Sequence, residues 1–134
     1  MKIKSILFIE KQQKQLEHFN SALNKISDNF FVIHAETPDK AIKTVQQIRP
    51  DIVFMASDIS KKCFELLREL RIKDGCVGIP IYIYTKLLHP RLGLQSLMEG
   101  AAGCILKSDN IEHLTTTLYQ VLATEDSRAP MVRH

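Results

Sequence analysis

Polar and charged side chains recur where the short apolar stretches of this 134-residue chain end. If those stretches are parallel strands, their carboxyl ends meet at one edge of a sheet, which is where such proteins bind ligands. Carboxylates at that edge could bind a cation, and lysine or hydroxyl groups could bind a phosphoryl group. The residues concerned are Glu10, Lys11, Ala56, Ser57, Asp58, Thr85, Lys86 and Lys107.

The segment RPDIVFMASDIS, residues 49–60, reads as a buried strand that runs out into a loop. Its end carries Ala56 and Ser57, and a carboxylate follows only at Asp58. A methyl group can neither attack phosphorus nor bind a metal ion. The segment therefore raises the question of whether this strand end forms a functional site or has lost the side chains that such a site needs.

Strand-like and helix-like segments alternate along the chain. Short apolar segments rich in β-favouring residues predict strands, and apolar residues at helical spacing predict helices. The predicted strands are 3–10, 30–35, 51–56, 79–85 and 103–106. The predicted helices are 11–26, 37–48, 61–72, 91–100 and a last one that starts near residue 109.

Several residues mark the ends of these helices. Thr37 is a predicted N-cap, with Pro38 at the first helical position. Gly100 is placed to end a helix in left-handed geometry. Asp109 and Glu112 have the spacing of a capping box for the last helix.

Five strands alternating with five helices predict an α/β fold, a doubly wound parallel sheet with helices on both faces. A chain of this length is expected to form a single domain, which we place at residues 1–123. Helical periodicity stops at Thr124, so residues 124–134 are predicted to form a flexible C-terminal tail.

The composition excludes several classes of protein. The three cysteines are far apart and contain no CxxC pair, which argues against a disulfide framework or a zinc site. No apolar run approaches the length of a membrane span, and no signal peptide is apparent, so a cytoplasmic location is expected. A net charge of +3 without a clustered basic stripe does not predict direct binding of nucleic acid.

Four segments together resemble the receiver domain of two-component response regulators, over about residues 3–123. They are ILFIE at the first strand, RPDIVFM at the third, IPIYIYT at the fourth and EGAAGCILKS into the fifth. The resemblance implies a flavodoxin-like, five-stranded parallel sheet of strand order 2-1-3-4-5 with five helices. The run GAAGCILKS is most similar to receivers that precede a helix-turn-helix output domain.

The resemblance also implies what the site should contain. In receivers, two acids after the first strand and one aspartate after the third bind Mg²⁺, and the third-strand aspartate accepts the phosphoryl group. Here Glu10 matches the first acid, Lys11 replaces the second, and Ala56 stands at the phosphoacceptor position. Thr85 and Lys107 are the retained threonine and lysine.

Three further positions bear on this comparison. Cys104 stands where receivers carry an aromatic residue that rotates on activation, so no ring is present there to move. Asp58 lies two residues past Ala56, on the same face if the strand continues, while Ser57 would then point to the opposite face.

The charges of the side chains expected at this site predict that it does not need a metal ion. If Lys11 and Lys107 both converge on Glu10, the pocket is already near neutral or positive, and a divalent cation would be repelled. We therefore expect Lys107, or Lys11, to replace the cation by pairing with Glu10. The alternative is that Lys11 points into solvent.

The sequence thus predicts an atypical receiver that is not an enzyme, needs no cofactor or metal, and acts by protein–protein contact. The expected partner is a histidine kinase, an output protein or a second copy of the chain. It would bind the face formed by the fourth helix, fifth strand and fifth helix, without direct contact with nucleic acid or membrane. Two alternatives stay open: a phosphorylatable receiver that uses Asp58 in a phosphorelay, and the receiver part of a longer DNA-binding regulator.

Overall fold

The computed structural model describes residues 2–72 and 76–128. Strands and helices alternate throughout this part of the chain. The strands are β1 (Ser5–Ile9), β2 (Phe31–Ala35), β3 (Ile52–Ala56), β4 (Ile81–Thr85) and β5 (Gly103–Leu106). The helices are α1 (Gln13–Ile26), α2 (Pro38–Gln47), α3 (Cys63–Ile72), α4 (Pro90–Met98) and α5 (Ile111–Ser127).

The five strands form one parallel sheet of order β2-β1-β3-β4-β5, which confirms the predicted topology. The central strands β3 and β4 are buried along their whole length, as expected when helices cover both faces. Because strand side chains alternate in direction, each face of the sheet has its own apolar core. Helices α2 and α3 contribute to one core, and α1 and α5 contribute to the other.

The helix ends largely follow the predicted signals. The Thr37 side chain accepts a hydrogen bond from the Lys40 amide, and Gly100 has a φ of 100°. The cap of α5 was predicted wrongly: Asn110, not Asp109, is the N-cap, and its side chain accepts from the His113 amide. The physical reason is that Asn110 adopts the extended backbone that directly precedes the helix.

Helix α5 also continues beyond the predicted boundary at residue 123. Residues Thr124 to Ser127 are helical, and the two acidic side chains of this turn bond to other parts of the fold. The Tyr82 hydroxyl donates to Glu125 at 2.5 Å, and Asp126 accepts from the amides of Lys2 and Ile3 at 2.9 and 3.0 Å. The remainder of the predicted tail, 129–134, lies outside the described residues. None of the described helices is long and apolar enough to cross a membrane.

Candidate functional site

Lys107 joins the loops that follow β1 and β3. It lies just after β5, and its Nζ is 2.8 Å from Glu10 Oε2 and 3.1 Å from Asp58 Oδ1. The side chains of Lys107 and Glu10 are 2% and 1% exposed, whereas that of Asp58 is 54% exposed. The contact with Asp58 is a hydrogen bond; the contact with Glu10 pairs the charges without hydrogen-bond geometry. Lys107 therefore forms the expected pair with Glu10, and its role in place of a cation stays a prediction.

Glu10 is held in place by neighbouring backbone and by one histidine. Its Oε1 accepts from the Gln12 amide at 3.3 Å, and its own amide donates to the carbonyl of Ala35. Nε2 of His34 lies 2.6 Å from the carbonyl oxygen of Glu10. Because a carbonyl oxygen only accepts, this bond places the ring proton on Nε2. His34 therefore fixes the loop that carries Glu10, a role that no motif in the sequence indicated.

Ala56 is fully buried at the end of β3, in register with Tyr84 of β4. The strand ends there, so Ser57 does not continue the alternation. Its amide donates to the Tyr84 carbonyl, and its hydroxyl donates to Thr85 Oγ1 at 3.0 Å. Ser57 therefore faces the site, contrary to the expectation for a continuing strand.

The aromatic ring of Tyr84 packs against the ammonium group of Lys107. Its ring centroid is 5.5 Å from Lys107 Nζ, a distance at which the ring attracts the ammonium charge. Its hydroxyl is buried and has no hydrogen-bond partner among the described residues. Burial, and next the Glu10 carboxylate, raise the pKa of this phenol. The alternation of Tyr84 with Ile83 along β4 places the tyrosine on the same face of the sheet as Phe8.

Two lysines expected near the pocket lie outside it. Lys11 and Lys86 are exposed, and neither forms a hydrogen bond or ion pair within residues 2–72 and 76–128. Of the two alternatives for Lys11, the structure shows the one in which the side chain is exposed to solvent, and Lys107 alone pairs with Glu10. Glu10 is buried, whereas residues 11 and 12 are both exposed.

Cys104 is half-buried on β5, and its Sγ lies 3.3 Å from the hydroxyl of Ser96 on α4. It packs against the core between the sheet and helices α2 and α3. The position thus holds a thiol in contact with α4. Burial raises the pKa of the nearby Cys63 thiol, and Cys104 raises it further.

The side chains present do not fit Mg²⁺. A magnesium ion requires several hard oxygen ligands at close to octahedral geometry. Ala56 offers none, and both carboxylates near it are already in contact with the Lys107 ammonium. No group of three or more potential metal-ligating side chains occurs within the described ranges.

No family model matches the sequence, and no curated protein matches it significantly. Solved structures do match. The phosphorylated cyanobacterial phytochrome response regulator RcpA is 19% identical, with a TM-score of 0.81 over 98% of this chain and 99% of that chain.

Two other solved structures give the same result. The chemotaxis response regulator CheY4 of Vibrio cholerae is 21% identical, with a TM-score of 0.76 over 89% of this chain and 98% of that chain. The Mn²⁺-bound form of response regulator Rcp1 is 17% identical, with a TM-score of 0.78 over 97% and 99% of the two chains. At these identities the likeness is one of fold. The chain has the flavodoxin-like fold of response regulator receiver domains.

Proposed function

We propose that this chain is an atypical receiver domain in signal transduction, which acts by protein–protein contact without Mg²⁺-dependent aspartyl phosphorylation. The observation that carries this proposal is the buried methyl group of Ala56 at the end of β3. Phosphoryl transfer to a protein needs an oxygen nucleophile at the reacting position, and this side chain has none.

The neighbouring charges support the same conclusion. In a phosphorylation site, lysine and a metal ion neutralise the phosphoryl group during transfer. Here Lys107 contacts two carboxylates of its own protein, so its charge is already compensated. Binding a phosphoryl group would require Lys107 to leave the buried Glu10 unpaired, which is costly.

The test is incubation with acetyl phosphate and Mg²⁺, followed by intact mass measurement. We expect no gain of a phosphoryl group. A stoichiometric, Mg²⁺-dependent gain would overturn the proposal. The Asp58→Asn variant then identifies the acceptor, because it retains the shape of the side chain but not its nucleophilic carboxylate.

A second candidate function is a phosphorelay receiver that uses Asp58. Two observations favour it: the Asp58 side chain is 54% exposed, and it already contacts Lys107 at 3.1 Å. In that reaction an Asp58 oxygen would attack phosphorus of acetyl phosphate, form an aspartyl phosphate and release acetate. A phosphoryl gain that disappears in Asp58→Asn would establish this candidate.

The proposed contact face is formed by α4, β5 and α5, and the bound protein would be a histidine kinase, an output protein or a second copy. Large apolar side chains are exposed on two of these elements. Leu94, Leu97 and Met98 on α4 are 63%, 56% and 78% exposed, and Tyr119 on α5 is 55% exposed. Light scattering of the native chain and of Leu97→Ser/Met98→Ser tests self-association: a dimer of the native chain that the variant loses would support it, and a native monomer would exclude it.

A further inference from the structure

We infer that the carboxyl edge of the sheet is a docking surface for an acidic protein segment that also carries apolar side chains. This inference rests on the proposed function, because it assumes that the chain acts by protein contact. It concerns a surface different from the α4-β5-α5 face. Four exposed lysines define it, and we call them the basic rim: Lys11, Lys61, Lys62 and Lys86.

The topology places these lysines together. Lys11 follows β1, Lys61 and Lys62 lie between β3 and α3, and Lys86 directly follows β4. Strands β1, β3 and β4 are neighbours in the parallel sheet, spaced about 4.8 Å apart. The loops that follow them are in contact, since Lys107 bridges the β1 and β3 loops and Ser57 bonds to Thr85 at the end of β4.

The basic rim is not neutralised by the protein itself. None of its four lysines has an acidic partner within 4.0 Å in the described part of the chain. The two pocket carboxylates, Glu10 and Asp58, are both in contact with Lys107. The pocket therefore retains one formal negative charge beneath four positive ones, and the edge presents a positive potential to its surroundings.

Most other acidic groups at this edge lie toward its two ends, on the segments before α2 and α5 and, for Asp39 and Glu112, in the first turns of those helices. Glu36 pairs with Lys40 at 3.6 Å beside the edge strand β2, and Asp109 lies 3.5 Å from His18 Nδ1 beyond β5. Glu65 on the first turn of α3 is exposed and forms no ion pair with the neighbouring lysines. Even with Glu65 counted, the loops after β1, β3 and β4 carry more lysines than carboxylates, so a positive potential lies over them.

Apolar side chains adjoin the basic rim on the segment between β4 and α4. All six residues of this segment and the first turn of α4, KLLHPR at 86–91, are exposed. Leu87 and Leu88 are 73% and 52% exposed. Two exposed leucines between a lysine and an arginine present apolar and positive groups side by side.

This mixture favours a protein partner over a nucleic acid or a membrane. Single-stranded nucleic acid is held by basic grooves with aromatic side chains for stacking. The exposed aromatic residues of the described chain, Phe31 and Tyr119, lie away from these loops. An acidic segment with apolar side chains complements both the lysines and the leucines.

The experiment is a titration of the isotope-labelled native chain, followed by amide chemical shifts. The probe is a short synthetic peptide that alternates glutamate with leucine. The control peptides are one with glutamine for glutamate and one with serine for leucine. We expect the glutamate–leucine peptide to shift amides of the loops after β1, β3 and β4, with an affinity that falls as salt is added.

Matched variants separate a specific surface from general charge. Lys11→Glu/Lys86→Glu is expected to weaken binding about ten-fold, because two attractions become repulsions. Lys25→Glu/Lys43→Glu makes the same charge change at exposed positions outside these loops, and is expected to alter the affinity less than about two-fold. Leu87→Ser/Leu88→Ser is expected to weaken binding of the glutamate–leucine peptide and to leave binding of the peptide with serine for leucine unchanged.

Several outcomes would overturn the inference. They are equal weakening by both lysine pairs, no shift of these loops at the highest peptide concentration, or tighter binding of single-stranded DNA or phosphatidylserine vesicles than of the peptide. None of these outcomes bears on whether the chain is phosphorylated. A phosphoryl gain in the mass measurement would overturn the proposed function without altering the peptide result.

Discussion

The ammonium group of Lys107 and the carboxylate of Glu10 form a buried ion pair with 2.8 Å between Nζ and Oε2. Both side chains are at least 98% shielded from solvent. Taking two charges out of water is costly, and removing one partner leaves the other charge buried and uncompensated. The pair therefore links the end of β5 to the end of β1, and its loss should lower the free energy of unfolding.

Lys107→Ala is expected to lower the free energy of unfolding by about 3 kcal/mol or more, because Glu10 loses its partner. Urea denaturation followed by circular dichroism measures the change. The control is Glu10→Gln/Lys107→Met, which removes both charges and should recover much of the loss. If Lys107→Ala unfolds as easily as the double variant, the pair does not contribute as described.

Ala56→Asp alone is expected to leave the chain unphosphorylated by acetyl phosphate and Mg²⁺. The new carboxylate supplies a nucleophile, but Lys11 supplies no oxygen ligand for a cation. Ala56→Asp/Lys11→Asp is expected to gain a Mg²⁺-dependent phosphoryl group, detected by intact mass. Ala56→Asn/Lys11→Asp is the control without a nucleophile. Full phosphorylation of the single variant would show that Lys11 is no obstacle.

Tyr82→Phe is expected to lower the free energy of unfolding by about 1 to 3 kcal/mol, because the Glu125 carboxylate loses a hydrogen-bond donor at a site where it is 5% exposed. Asp126→Ala should cost about 1 kcal/mol through the amides of Lys2 and Ile3. Urea denaturation measures both. Gln120→Ala, on the exposed surface of α5, should change stability by less than about 0.5 kcal/mol. Equal stability of all three variants would show that the contacts of Glu125 and Asp126 do not stabilise the fold.

The stability of the protein is expected to fall as the pH rises above about 9. Burial raises the pKa of the Cys76 thiol from 9.0 to about 11. Below pH 9 the thiol is protonated in both states and the full stability is present. Between these pH values the unfolded thiol ionises while the folded one stays protonated, so the unfolded state binds fewer protons and stability declines.

The loss from Cys76 amounts to about 2 to 3 kcal/mol by about pH 11, at roughly 1.4 kcal/mol per unit of pKa. Burial also raises the pKa of Tyr82 and Tyr84, which adds to the decline at higher pH. Urea midpoints from neutral pH to about pH 11 measure the curve. Cys76→Ala should give a shallower decline between pH 9 and 11, and an identical slope would contradict the assignment to Cys76.

The sequence by itself determined the alternation of strands and helices, since apolar periodicity and local caps are properties of neighbouring residues. Thr37 and Gly100 are examples, because a hydroxyl one turn from an amide, or a backbone free of a side chain, acts over a few residues. The lack of a nucleophile at Ala56 could also be predicted, because it depends only on which atoms the side chain has. The strand order followed from the resemblance to receivers.

Tertiary structure alone decided which charged groups meet. Lys11 and Lys107 were equal candidates to pair with Glu10, and Ser57 would face away only if the strand continued past Ala56. The choice depends on where each strand stops and where the loop turns, which periodicity cannot locate to one residue. The same holds for His34, Tyr84 and the end of α5, whose partners lie 23 or more residues away along the chain. Contacts of that range are set by the packing of the sheet, and a linear pattern does not encode them.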